Sequence, residues 1–144
     1  MSKTFTLDLS LMLKDAGAVT ATGAAQVGGS ARVLDLGAAL MEGTVVIDVS
    51  AIDSTSADEK YEIEWQLSSS PTFASDINVA TVLKLGDSGQ TGSSADNGVG
   101  RYEMRVATEF KGVEYRYARL HHRIAGTTPS INYTAFLGKS LPTS

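Results

Sequence analysis

The sequence predicts an all-β fold: a single-domain antiparallel β-sandwich, jelly-roll-like, with an extended small-residue arm. Three observations carry that expectation. Many short stretches alternate apolar and polar residues with the period of a half-buried strand. Polar, glycine-containing turns separate them. Helical periodicity is scarce, and many short strands joined by polar turns indicate a sandwich or barrel, of which the eight-stranded jelly roll is a natural member.

In chain order, "FTLDLSLML" sends Phe5, Leu7, Leu9, Leu11 and Leu13 one way and Thr6, Asp8 and Ser10 the other. Residues 15–32, "DAGAVTATGAAQVGGSAR", are almost all small and offer little side chain for packing, so they read as an extended arm or loop. Short strand pieces are expected at "AVTAT" and "ARVLDL", and a turn or two of helix at "LGAALMEG" (36–43), bracketed by Gly37 and Gly43. "VVIDV" (45–49) alternates again. In "YEIEWQL" (61–67), Tyr61, Ile63, Trp65 and Leu67 are expected inside, with Glu62, Glu64 and Gln66 facing water. "SSPTFASD" reads as a proline-containing turn. "VATVLKL", "RYEMRVA", "VEYRYARLHHRI" and "INYTAFL" complete the strands, and the Gly/Ser-rich segment 86–100 reads as a loop.

The 144 residues suit one domain, 1–144, large enough to bury a core without a staple. Hydrophobic residues at 42% and charged residues at 19% are ordinary globular composition. Absence of cysteine removes disulfide scaffolds, thiolate metal sites and cysteine nucleophiles. "MSKTFTLDLS" lacks the features of a secretory signal, and no apolar run approaches the roughly 20 residues of a membrane span, so no membrane partner is expected.

Net charge is −4, unevenly spread. Residues 35–96 carry eleven acids against Lys60 and Lys84, while 97–124 carry six basic residues against three acids. Such asymmetry fits opposite surfaces that meet different partners or copies of one another; interleaving on one folded surface is the alternative.

Catalytic signatures are missing. His121 and His122 are the only histidines and, being adjacent on a strand, point to opposite faces, which rules out a histidine-rich metal site. No nucleophile elbow, phosphate loop or dinucleotide fingerprint is present. "DSTSADE" (53–59) and "DSGQTGSSADNG" (87–98) are acidic but lack the ligand spacing of a calcium loop, and Glu62 and Glu64 share one strand face rather than facing across a cleft. "NYT" (132–134) matches a glycosylation sequon but falls inside a predicted strand. A pI near 5.1 and a small basic region argue against nucleic acid. Accordingly no enzyme activity, cofactor or metal is expected.

Treating 113–124 as one strand puts Val113, Tyr115, Tyr117, Arg119, His121 and Arg123 on one face, and Ala118, Leu120, His122 and Ile124 on the other. The second face can join a core. Tyr115, Tyr117, Arg119, His121 and Arg123 form the expected interface, because tyrosine and arginine bring apolar area together with a polar tip or fork. An ordinary exposed face with tyrosines covering a sheet edge is the alternative.

"DAGAVTATGAAQVGGSARVLDLGAA" (15–39), "WQLSSSPTFAS" (65–75) and "YRYARLHHRIAGTTPSINYTAFL" (115–137) resemble, in order, motifs of capsid cement (decoration) proteins of tailed bacteriophages, similar to the Bordetella phage cement protein family. The chain departs from that pattern at His121-His122-Arg123, where more apolar or aromatic residues are usual, and at 24–31, which is longer than the usual connection. The resemblance implies a jelly-roll-like sandwich on the outer surface of a virion, made in the host cytoplasm. Its partner is the major capsid protein, and it self-associates, with a dimer expected ahead of a trimer. Its task is to bridge subunits and stabilise the shell without catalysis. The alternative function is a carbohydrate-binding jelly roll or another virion or fibre attachment domain.

Overall fold

Most of the alternating stretches become strands. The computed structural model describes residues 11–86 and 98–139; Phe5, Leu7 and Leu9, and most of the 86–100 segment, lie outside the described residues. The strands are β1 (Met12–Lys14), β2 (Ala18–Val19), β3 (Gly23–Ala24), β4 (Gln26–Val27), β5 (Ser30–Ala31), β6 (Leu34–Asp35), β7 (Glu42–Ile52), β8 (Lys60–Ser68), β9 (Asn78–Gly86), β10 (Gly100–Ala107), β11 (Glu109–Phe110), β12 (Val113–Glu114), β13 (Tyr117–Ala125) and β14 (Ile131–Lys139). None of the described residues forms an α-helix.

One sheet runs β1-β14-β7-β10, with β2 also on β14; the other runs β3-β13-β8-β9, with β6 also on β13. Every pairing is antiparallel. Since β3 and β6 lie along the same strand, they act as one interrupted edge. Counting β1, β3/β6, β7, β8, β9, β10, β13 and β14 as eight strands in chain order, the sheets read 1-8-3-6 and 2-7-4-5. That is jelly-roll topology, with consecutive strands mostly alternating between sheets.

The inner faces supply the core. Tyr61, Ile63, Trp65 and Leu67 of β8 are all fully buried, as their spacing predicts, and meet Val45, Ile47, Tyr133, Ala135 and Leu137 from the facing sheet. Each large side chain buried this way contributes roughly 1.5–3 kcal/mol. The polar tips inside are satisfied. Trp65 Nε1 donates to Ala107 O at 3.0 Å, and the Tyr61 hydroxyl donates to Asp53 O at 2.6 Å while accepting from Ser130 N at 2.9 Å.

The Ala/Gly-rich stretch lies along the open side of the sandwich. It pairs with β14 through β2 and then reaches β13 through β3, and only Ala25 of it enters the core. From Ala24 to Leu34 is ten steps, against three from His121 to Ala118 on the opposing strand, so seven residues are extra. They leave as the hairpin β4–β5, turned by Gly28 (φ 62°) and Gly29 (φ 81°), the left-handed pair that a two-residue hairpin turn requires. Arg32 N donates to Ala25 O at 3.0 Å and closes its base.

Two expectations are corrected. Residues 36–43 are not a helix: 36–41 bend toward β7, of which Glu42 and Gly43 are already part, Gly37 takes a left-handed conformation (φ 82°), and its N–H donates to Asp35 Oδ1 at 3.1 Å, a turn that competes with helix. Glu64 and Gln66 do not face water; they are 4% and 2% exposed. Side chains from β13 lie over them.

Candidate functional site

The register of β13 on β8 decides what the outward face can do. Arg119 stands opposite Gln66, His121 opposite Glu64 and Arg123 opposite Glu62, and directly opposed side chains on one sheet face are in reach of each other. Arg119 Nε donates to Gln66 Oε1 at 2.8 Å, and Gln66 Nε2 donates to Glu64 Oε1 at 2.9 Å. Arg123 Nε donates diagonally to Glu64 Oε2 at 2.8 Å. One buried carboxylate thus organises the row, and the bond from Glu64 raises the pKa of Arg123.

His121 Nδ1 lies 3.3 Å from Glu64 Oε1 yet makes no hydrogen bond. Burial, with Arg119 alongside, holds this imidazole below its ordinary value despite the carboxylate. It therefore sits between two arginines as a neutral ring near pH 7. Both arginines are held through Nε, and among the described residues their Nη groups make no hydrogen bond.

Arg119 is also stacked: its guanidinium carbon lies 4.4 Å from the centroid of the Phe73 ring. Phe73 belongs to the turn between β8 and β9, where it is left-handed (φ 55°) and only 5% exposed. Serines hold that turn. Ser68 Oγ donates to Ser75 O at 2.8 Å and accepts from Ser70 N at 2.9 Å, and Ser70 Oγ accepts from Thr72 N and Ala74 N, both at 3.3 Å. At the strand's start, Arg116 lies 5.7 Å from the Tyr117 ring centroid and is paired through Nε and Nη2 with Asp35 at 2.7 and 2.9 Å.

Of the five expected interface residues, Tyr117, Arg119, His121 and Arg123 share this face. Tyr115 does not. The chain forms the hairpin β11–β12 around Lys111 and Gly112, then breaks before β13, so alternation restarts at Tyr117 and Tyr115 packs against the core. Phe73 and Glu64 were not legible as partners of this row. Glu64 looked like any outward residue of an alternating strand, and only the β13 register shows what covers it.

A second polar group was also hidden from the sequence. β1 bulges at Leu13, since Met12 opposes Phe136 but Lys14 opposes Ala135. Leu13 and Lys14 both turn inward, at 0% and 4% exposure. Lys14 Nζ donates to the carbonyls of Asp15, Gly17 and Tyr133 at 2.9, 2.9 and 2.7 Å, and lies 4.5 Å from the Tyr133 ring centroid. The Tyr133 hydroxyl is 3.0 Å from His122 Nδ1. Burial lowers the Lys14 pKa, raises that of Tyr133, and brings His122 down to about 4. A cleft of about 600 Å³ opens beside them under residues 15–24. Because Lys14 spends its three protons on carbonyls of its own chain, this group fastens the arm to the sandwich.

The acids of the 53–59 loop are likewise turned onto their own backbone. Asp53 Oδ1 accepts from Thr55 N and Oγ1 at 2.9 and 2.7 Å, Asp58 holds Thr127, and buried Glu59 accepts from Ser56 N at 2.9 Å. Among the described residues, no three metal-ligating side chains come together. No family model matches the chain, and no curated protein matches it.

Proposed function

We propose that this protein is a non-enzymatic structural component that binds the outer surface of a phage capsid. In this reading it stabilises the shell by bridging major capsid protein subunits, with Tyr117, Arg119, His121 and Arg123 forming the contact. One observation carries the choice of face: both arginines are oriented by a single Nε bond to a buried partner, so each presents its remaining donors already positioned. Pre-positioned guanidinium forks cost less ordering on docking and fit carboxylate or carbonyl acceptors. The jelly-roll topology agrees with the resemblance of the motifs to cement proteins. A glycan-binding role finds less support, since Trp65, the one tryptophan, lies in the core and offers no platform to a sugar ring.

The test is cosedimentation with shells of the source phage that lack this component. Saturable binding at a symmetry-related copy number with a raised shell melting temperature is expected, and Arg119→Glu with Arg123→Glu should reduce occupancy while the free domain stays folded. Unchanged occupancy in that variant would show that another face makes the contact. Failure of the unaltered protein to bind any shell would overturn the reading, with glycan screening as the next step.

A further inference from the structure

Strand β10 closes one sheet: among the described residues it is hydrogen-bonded only to β7, which leaves its outer edge without a strand partner. An uncovered strand edge is a template for another strand unless something blunts it. The neighbouring edge, β9, is blunted. It bulges at Ala80, which opposes no residue of β8, and it carries exposed Lys84 with no acid on the strand. β10 is regular through all eight of its pairs with β7.

Its charges are arranged differently. Arg101, Glu103 and Arg105 project outward, while Met104 and Val106 turn into the core. Arg101 is satisfied by Asp48, at 2.7 and 3.1 Å. Glu103 and Arg105 stand opposite Val46 and Thr44, and neither forms an ion pair among the described residues.

We infer that β10 pairs antiparallel with β10 of a second copy about a two-fold axis at Met104, placing Glu103 of each copy opposite Arg105 of the other. The register follows by elimination. Side chains directly opposed across an antiparallel pair share a sheet face, so a continuous sheet needs outward residues to meet outward residues, and the axis passes through a residue. An axis at Glu103 or Arg105 sets like charges together. One at Tyr102 uses Arg101, which Asp48 already holds, and pairs fewer residues. The axis at Met104 pairs residues 101–107 and gives two opposite-charge pairs on one face. Counting on in the same register brings Val99, at 68% the most exposed large apolar side chain of the described residues, opposite Glu109 of the other copy. Glu109 and Phe110 help line a cleft of about 360 Å³ there. The result is one sheet running through both copies, β1-β14-β7-β10-β10-β7-β14-β1, with an isologous interface as two-fold symmetry requires.

This inference goes beyond the capsid reading and stands without it, because its test uses the purified chain alone. Sedimentation equilibrium over a concentration series should show a monomer–dimer equilibrium. Glu103→Arg gathers four cations at the axis and should raise the dissociation constant by about tenfold or more. Adding Arg105→Glu to it swaps the charges, keeps the pairs complementary and should restore the dimer. Met104→Cys supplies the chain's only thiol, opposite its own copy at a spacing a disulfide can bridge. Air oxidation should then give a covalent dimer. A monomer at all concentrations, a dimer indifferent to Glu103→Arg, or a loss that the double variant does not repair would each overturn the inference. Circular dichroism of every variant separates loss of pairing from loss of fold.

Discussion

The His122 imidazole and the Tyr133 hydroxyl meet between the two sheets, with Nδ1 to oxygen at 3.0 Å and ring planes at 87°. His122 comes from β13 and Tyr133 from β14, so this contact links consecutive strands that lie in opposite sheets. When the imidazole carries its single proton on Nε2, Nδ1 accepts from the phenol, and burial favours that neutral ring.

Acid should weaken the fold through this pair. The unfolded chain takes up a proton on His122 near 6.5, whereas the folded chain resists it down to about 4. Stability from this group is therefore complete above pH 6.5 and declines through the window down to pH 4, by roughly 2–3 kcal/mol. His121, also shifted down, adds in the same direction. Urea titrations between pH 7 and 4 should show a steeper loss in the natural sequence than in His122→Asn. Parallel profiles would show that the imidazole is not held neutral.

Glu64→Ala should cost about 1–3 kcal/mol, since it strips the acceptor from Gln66 and Arg123 in one change. Arg123→Ala, removing a half-exposed partner, should cost under about 1 kcal/mol. Equal effects in denaturant titration would remove Glu64 from its central position in the row.

Two glycines should be intolerant and one tolerant. A Cβ on Gly126 (φ 118°) would sit 2.7 Å from Glu59 Cα, and one on Gly86 (φ 109°) 2.6 Å from Glu59 O. Gly28 (φ 62°) has open space around it. Alanine at either of the first two should cost more than about 2 kcal/mol, against about 1 kcal/mol at Gly28, as melting temperatures will report.

Excising residues 26–32 should leave a folded sandwich. Ala25 would then join Val33, and the seven missing residues bring Leu34 back into step with Ala24 along β13. The variant loses the bond from Arg32 Nε to Met12 O at 3.0 Å, so a deficit of about 1–2 kcal/mol is expected. Amide exchange should show a continuous edge on β13; an insoluble product would mean that the hairpin is needed for folding.

The inner half of each strand was readable from the sequence because burial repeats with the strand's own period. Tyr61 to Leu67 and Ala118 to Leu120 needed nothing else. The outer half was not, because an outward residue of a central strand is covered or bare according to what its neighbour carries. Glu64 is buried by side chains some sixty positions away, including Arg123. Lys14 escaped for a different reason: a single bulge reverses the sense of alternation, and a bulge at Leu13 has no mark in the residues around it. Tyr115 was misplaced because a two-residue hairpin interrupted what read as one long strand.

The position of β14 fixes an order of events in time. It lies between β1 and β7, and Lys14 closes onto Tyr133, 119 positions further along the chain. Neither strand can find its place beside β14 before that strand has been synthesised. A nascent chain therefore leaves the ribosome with the apolar flanks of β1 and β7 uncovered, and the sheet zips shut only afterwards. Non-local pairing of this kind makes folding slow, on the scale of milliseconds to seconds, and leaves the waiting strands open to other chains.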